Sequence, residues 1–313
     1  MVTRISFLRQ ITPLLISLAV IGGLSFTVRK FEREAPRPFD RLIVEVLPEL
    51  PDLTGRPSEL IERLENAHAK LEVGELQREA LVELAYLYHA NGFFSQAESC
   101  YLGLESFETE NARWPYLLGV LKEDRMNQAE VATHFARSIT LDPARPLSYF
   151  RLGEAYRKGG EFKDARTAYE YCVLGAPNDG WARLGLGRIS VAEREWELAK
   201  DWLEKAIDLM PKLEPVRELL PDVYLELGNI DKAKSLREDL GKRALVSEPR
   251  DAWLSFLSEH CYDSYRLLEY ARESRAAGFF EEALSSLERA LLYGAEDMVV
   301  VEEVSNLIEE LQR

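Results

Sequence analysis

The chain is poor in the residues that build metal and redox sites. Its 313 residues include only three cysteines and four histidines. No two cysteines form a C-x-x-C pair, which excludes a disulfide scaffold, a cysteine-rich zinc module and covalently attached c-type haem. Positive charge is short as well: 39 Lys and Arg stand against 54 Asp and Glu, a formal net charge of −15. Binding phosphate backbones needs a basic face, so nucleic acid is excluded as the main partner. There is no H-E-x-x-H, no G-x-S-x-G and no G-x-x-x-x-G-K-[ST]. Gly185-Leu186-Gly187 lacks the strand–turn–helix setting of a dinucleotide loop. The adjacent His260-Cys261 has no further ligands at metal spacing, and Cys100 and Cys172 read as small core residues. The expectation is therefore a chain without catalytic, cofactor-binding or metal residues, and not an enzyme.

What is present is apolar material: 46% of residues are hydrophobic, enough for a sizeable core. One long uncharged run occurs, Ile11 to Val28, with Arg4 and Arg9 before it and Arg29 and Lys30 after it. Eighteen helical residues rise about 27 Å, close to the hydrocarbon thickness of a bilayer. Residues 1–30 are thus expected to be a single-pass membrane anchor, with a cleaved signal segment as the alternative, and the body is expected outside the cytoplasm. Residues 31–57 hold Pro36, Pro38, Pro48, Pro51 and Pro57 and read as an extended stem. In 58–77, Ser58 is placed to cap a helix whose stripe Leu60, Leu64, Ala67 and Leu71 would cover the exposed face of the next helix pair.

The remainder repeats. Windows beginning at Arg78, Ala112, Pro146, Gly180 and Glu214 fall into a 34-residue phase over 78–247, and a sixth covers 264–297. The eighth position reads Ala85, Gly119, Gly153, Gly187, Pro221 and Ala271. The twentieth reads Ala97, Val131, Ala165, Ala199, Ala233 and Ala283. Tyr101, Phe135, Tyr169, Leu203, Arg237 and Leu287 stand four positions further on. Gly92, Gly160, Gly228 and Gly278 mark a turn inside four windows, and Pro143, Pro177 and Pro211 end three. This pattern resembles the tetratricopeptide repeat, most clearly in PLSYFRLGEAYRKGGEFKDARTAYEYCVLGAPND and the window after it.

The resemblance implies an all-α fold: a right-handed superhelical solenoid of antiparallel helix pairs, about six repeats with extra and capping helices. Small residues at the eighth and twentieth positions suit a close helix crossing. The insert 248–263 reads as one short helix with Trp253, Phe256 and Leu257 on its apolar side, and 298–313 as a capping helix.

In this family the first helix of each pair lines a concave face. Its facing positions here include Tyr86, Tyr116, Phe150, Trp181 and Tyr265, with Arg151, Arg157, Arg188 and Arg272. Aromatic residues and arginine are enriched where proteins bind proteins, so these residues form the candidate groove. The expected partner is a protein or peptide with apolar and acidic groups, and the expected function a membrane-tethered interaction scaffold. The alternative is an accessory or assembly factor for a bacterial envelope enzyme or electron-transfer system. Val82 and Tyr86 stand where family members that grip chaperone tails carry Lys and Asn, which argues against that role.

Overall fold

The computed structural model describes residues 47–72, 77–123, 127–239 and 249–311. All of these belong to one unit, Pro38–Arg313. Among them the secondary structure is entirely helical. Helix α1 (Ser58–Glu72) precedes five pairs: α2 (Gln77–Ala90) with α3 (Phe94–Phe107), α4 (Arg113–Lys122) with α5 (Gln128–Leu141), α6 (Pro146–Lys158) with α7 (Phe162–Gly175), α8 (Trp181–Ala192) with α9 (Trp196–Leu209), and α10 (Glu214–Glu226) with α11 (Ile230–Asp239). A short 3-10 helix, Ser255–His260, precedes the sixth pair, α12 (Ser264–Ala277) with α13 (Phe280–Gly294), and α14 (Met298–Leu311) comes last.

Three of the pairs close where a side chain is missing. A Cβ added to Gly119 would lie 2.8 Å from the Phe135 ring, and one on Gly153 would lie 2.6 Å from Tyr169. One on Gly187 would lie 2.7 Å from Leu203. The bulky residue of the second helix thus fills the gap left by glycine on the first, and the axes approach closely. Tyr169 is gripped from both sides, since Gly185 of the next pair also abuts its ring. Ala165 is fully buried at this crossing. Ala165→Leu is expected to cost about 1–3 kcal/mol by overpacking, read as a lower denaturation midpoint. An unchanged midpoint would show that the crossing has room.

The turns inside five of the pairs use left-handed backbone. Gly92, Gly160, Gly228 and Gly278 have φ of 76–87°. In the fourth pair Arg194 adopts φ 60° in their place.

Two apolar cores run through the stack. The distal one joins α6 to α11 through Tyr169, Trp181, Leu203 and Leu220. The proximal one joins α1 to α5 with the 3-10 helix and α12–α14, through residues such as Leu84, Tyr116, Leu257, Leu268 and Val304. The chain therefore returns: the 3-10 helix and the sixth pair pack on the first helices. Arg63 of α1 donates to the Tyr262 hydroxyl at 3.0 Å. Asn91 spans His260 and Tyr262, and Arg266 donates to the Ala90 carbonyl at 2.7 Å.

The membrane anchor expected over 11–28, and with it the placement of the body outside the cytoplasm, is corrected. Among the described residues no helix is long and apolar enough to cross a membrane. The longest, α1 and α13, have 15 residues and carry charged side chains. They rise about 22 Å, short of the roughly 30 Å a bilayer core requires. Residues 11–28 themselves lie outside the described set.

Candidate protein-binding groove

The expected groove residues lie in a row of first helices, α2, α4, α6 and α8, with two more on α12. Tyr86 and Tyr116 belong to this row, and both meet the chain's own insert. The Tyr86 ring lies 4.2 Å from Phe256 and 5.5 Å from His260. Tyr116 is fully buried, its ring 5.1 Å from Trp253 and 5.4 Å from Phe135. Its hydroxyl donates to the Asp251 carboxylate.

Arg145 completes this seat. Its guanidinium pairs with Asp251 and lies 3.9 Å from the centre of the Trp253 ring and 4.6 Å from that of Tyr116. A cation between two aromatic faces and one carboxylate is held in both directions. Arg113 adds a second cation, 5.7 Å from Trp253 and 5.6 Å from Phe256. Further along, His260 lies 3.4 Å from Glu83. The bond from His260, together with that from Arg63, holds the Glu83 carboxyl down at about 2 despite partial burial. The stretch from Asp251 to His260 thus runs from the second pair towards α1, with Asp251 and Trp253 against Tyr116 and Phe256 against Tyr86.

The other expected residues fall into two further places. Phe150 and Trp181 retain 4% and 5% of their surface and pack 6.0 Å apart in the distal core, so both are largely core residues. Around them lies an ionic strip. Arg151 donates to Glu123 at 2.9 Å. Arg157 donates to Glu154 at 2.8 Å, and Arg188 stands 3.5 Å from the same carboxylate. Tyr169 donates to Glu154 as well, at 2.5 Å. Burial alone would raise the Glu154 carboxyl, but the bond from Arg157 and the charges of Arg157 and Arg188 outweigh it, and the group is lowered. The strip gathers these guanidinium groups beside the Glu123 and Glu154 carboxylates. Tyr265 and Arg272 stand apart on α12. Tyr265 is exposed and donates to Asp297 at 2.6 Å, while Arg272 pairs with Glu269 and with Glu303 at 2.5 Å.

The structure therefore brings Arg157 and Arg188 to one carboxylate, pairs Arg151 with another, sets Tyr86 and Tyr116 against the insert, and places Tyr265 and Arg272 on α12 with partners of their own. Three residues central to the arrangement were not singled out from the sequence: Arg145, Asp251 and Asn91. Arg145 sits in the D-P-A-R-P connection before α6, where a loop role is sufficient explanation. Asn91-Gly92 reads as an ordinary turn. The usable signal was the insert itself, in which an acidic residue precedes Trp253 and Phe256 just where the repeat phase breaks.

Comparison with known proteins agrees with the repeat phase. Residues 147–179 match the family model described as Tetratricopeptide repeat. Superkiller protein 3 of Schizosaccharomyces pombe is 24% identical over 117 residues, which is 37% of this chain and 8% of that protein. Among solved structures, a tetratricopeptide repeat protein from Parabacteroides merdae superposes with a TM-score of 0.52 at 15% identity, covering 86% of this chain and 98% of that one. A MamA protein gives a TM-score of 0.47 at 19% identity, covering 54% of this chain and 96% of that one. Residues 147–179 therefore carry a tetratricopeptide repeat, and the described helix pairs share the all-helical fold of the Parabacteroides merdae protein.

Proposed function

We propose that this protein is an interaction scaffold that binds a segment of another protein, one bearing apolar and acidic groups, along the first helices of its pairs. The observation that carries this reading is the chain's own insert. An acidic and aromatic stretch lies along α2 and α4, seated on Tyr86, Tyr116 and Arg145. The row continues onto α6 and α8, where Arg151 stands beside Glu123, and Arg157 and Arg188 beside Glu154. Guanidinium groups on an acidic body attract carboxylates locally and direct them through paired hydrogen bonds. A prebuilt row of helices also limits the ordering cost of binding.

The test uses an array of twelve-residue peptides rich in Asp, Glu, Trp and Phe, with counterparts in which every acidic residue is Lys. The acidic peptides should bind at least about tenfold more tightly, and their association should slow as salt rises. Arg157→Glu with Arg188→Glu should abolish that preference. Lys163→Glu, on the outer helix α7, makes a smaller charge change away from the row and should leave it intact. Folded Arg variants that keep wild-type affinity and salt dependence would overturn the reading.

A further inference from the structure

Between the fifth and sixth pairs the insert is held unequally along its length. From Ser258 onward it is stitched down. Arg289 donates to the carbonyls of Ser258 and Cys261, Asn91 donates to the carbonyl of His260, and the Tyr262 amide donates to Asn91. At its start, Arg250 lies over the Phe279 ring and pairs with Glu282 at 3.0 Å, on exposed surface. Between these holds the backbone hydrogen bonds of the described residues are local, such as Leu254 to Asp251 and Leu257 to Leu254. None reaches α2, α4 or α6. Residues 251–256 are seated by side chains: Asp251 on Arg145 and Tyr116, Trp253 on the same two, Phe256 on Tyr86. Asp251 is buried, and Trp253 and Phe256 are partly buried, their rings at the margin of the proximal core.

A strand or helix belonging permanently to a core is fixed by backbone pairing and buried apolar faces. A bound peptide is fixed by a few anchoring side chains in prepared seats. Residues 251–256 have the second character, flanked by chain that has the first.

We infer that residues 251–256 are a strap occupying the groove of the first two pairs in place of a partner. The segment that displaces it belongs to another protein and carries a carboxylate with aromatic side chains two and five residues later. This inference rests on the reading that the first helices bind protein segments, and it adds which chemistry enters the first half of the groove and what must leave. The Asp251 seat takes the carboxylate, bonded by a guanidinium and a phenol. The Trp253 and Phe256 seats take the rings, each with a cation near its face. While the strap is in place an incoming segment must displace it, so affinity is reduced by the fraction of molecules with the strap lifted.

The probe is a fluorescent synthetic peptide copying residues 249–262 with serine in place of Cys261, titrated into the full chain. Wild type should bind it weakly. The triple variant Asp251→Ala, Trp253→Ala, Phe256→Ala should bind at least about tenfold more tightly, and adding Arg145→Glu should remove the gain. A folded triple variant that binds no better than wild type, or binds equally with Arg145→Glu, overturns the inference. Hydrogen exchange on wild type decides the matter if the triple variant does not fold. Amides of 252–256 should exchange at least about a hundredfold faster than those of α2 and α4, and exchange as slow as those helices also overturns it. Failure here with success of the Arg157 and Arg188 test leaves the scaffold reading standing without the strap. Failure there with success here confines binding to the first two pairs.

Discussion

Replacing Asn91 with leucine is expected to lower the stability of the folded chain by about 2–6 kcal/mol, the largest single-residue loss foreseen for a polar position. Asn91 is 1% exposed. Its amide nitrogen donates to the carbonyls of Leu87 and His260, both at 2.8 Å, and its oxygen accepts from the Tyr262 amide at 2.6 Å. Leucine matches the volume but strands the His260 carbonyl and the Tyr262 N–H, and each orphaned buried group costs about 1–3 kcal/mol. Urea denaturation of wild type and variant measures the difference. Asn91→Asp, which keeps the acceptor for Tyr262 and loses the donors, should fall between them. A leucine variant within about 0.5 kcal/mol of wild type would mean that water readily replaces the amide.

Acid should weaken the protein well above the range where carboxylates protonate. His89 is buried, with Nδ1 3.0 Å from the Tyr101 hydroxyl. Burial, helped by the charge of Arg266, pushes its imidazole down to about 3. The folded state therefore holds it neutral, while the unfolded chain takes up a proton near the ordinary value of 6.5. The stability it supports is complete above pH 6.5 and is lost as pH falls from there towards about 3. The slope is about 1.4 kcal/mol per pH unit. Melts at about pH 7.5 and about pH 5.5 should differ by about 1.4 kcal/mol from this group. His89→Gln should remove that slope while lowering stability at both values. Glu83 acts in the same direction but lower, its contribution lost from 4.5 down to about 2. A wild-type profile flat between about pH 7.5 and about pH 5.5 would show that His89 is reached by solvent in the native state.

The parts legible in the sequence are those enforced by neighbours in the chain. Gly153 and Tyr169 lie sixteen positions apart and touch because one helix pair contains both. The same spacing joins Gly119 to Phe135 and Gly187 to Leu203, so the repeat phase announces the contact. Turn chemistry was legible where it used glycine and not where Arg194 takes its place, since nothing in Glu193-Arg194-Glu195 signals left-handed backbone. In the candidate groove, the sequence singled out arginines but not their partners. Arg188 stands by Glu154 because α6 and α8 are rotated to bring them together, a relation no single helix encodes. The seat for Asp251 was hidden for a further reason. Tyr116 and Arg145 lie more than a hundred positions from it, and the connection obeys no repeat.

The return of the chain onto its first helices also sets an order of assembly. A repeat stack ordinarily folds by adding each unit to the last, so that its contacts are near in sequence and closure costs little. Here the Asn91 bond to Tyr262 closes 171 positions. On a ribosome adding about 5–20 residues per second, α2 waits roughly 10–30 s for the segment that covers it. For that interval Tyr86 lacks Phe256 and His260, whose rings come to lie 4.2 and 5.5 Å from its own. Messages or proteolysis that end the chain before residue 249 would therefore injure its beginning more than its new end. The fragment would retain the distal core and expose the proximal one, making the amino-terminal half of such a product the part that chaperones and proteases engage.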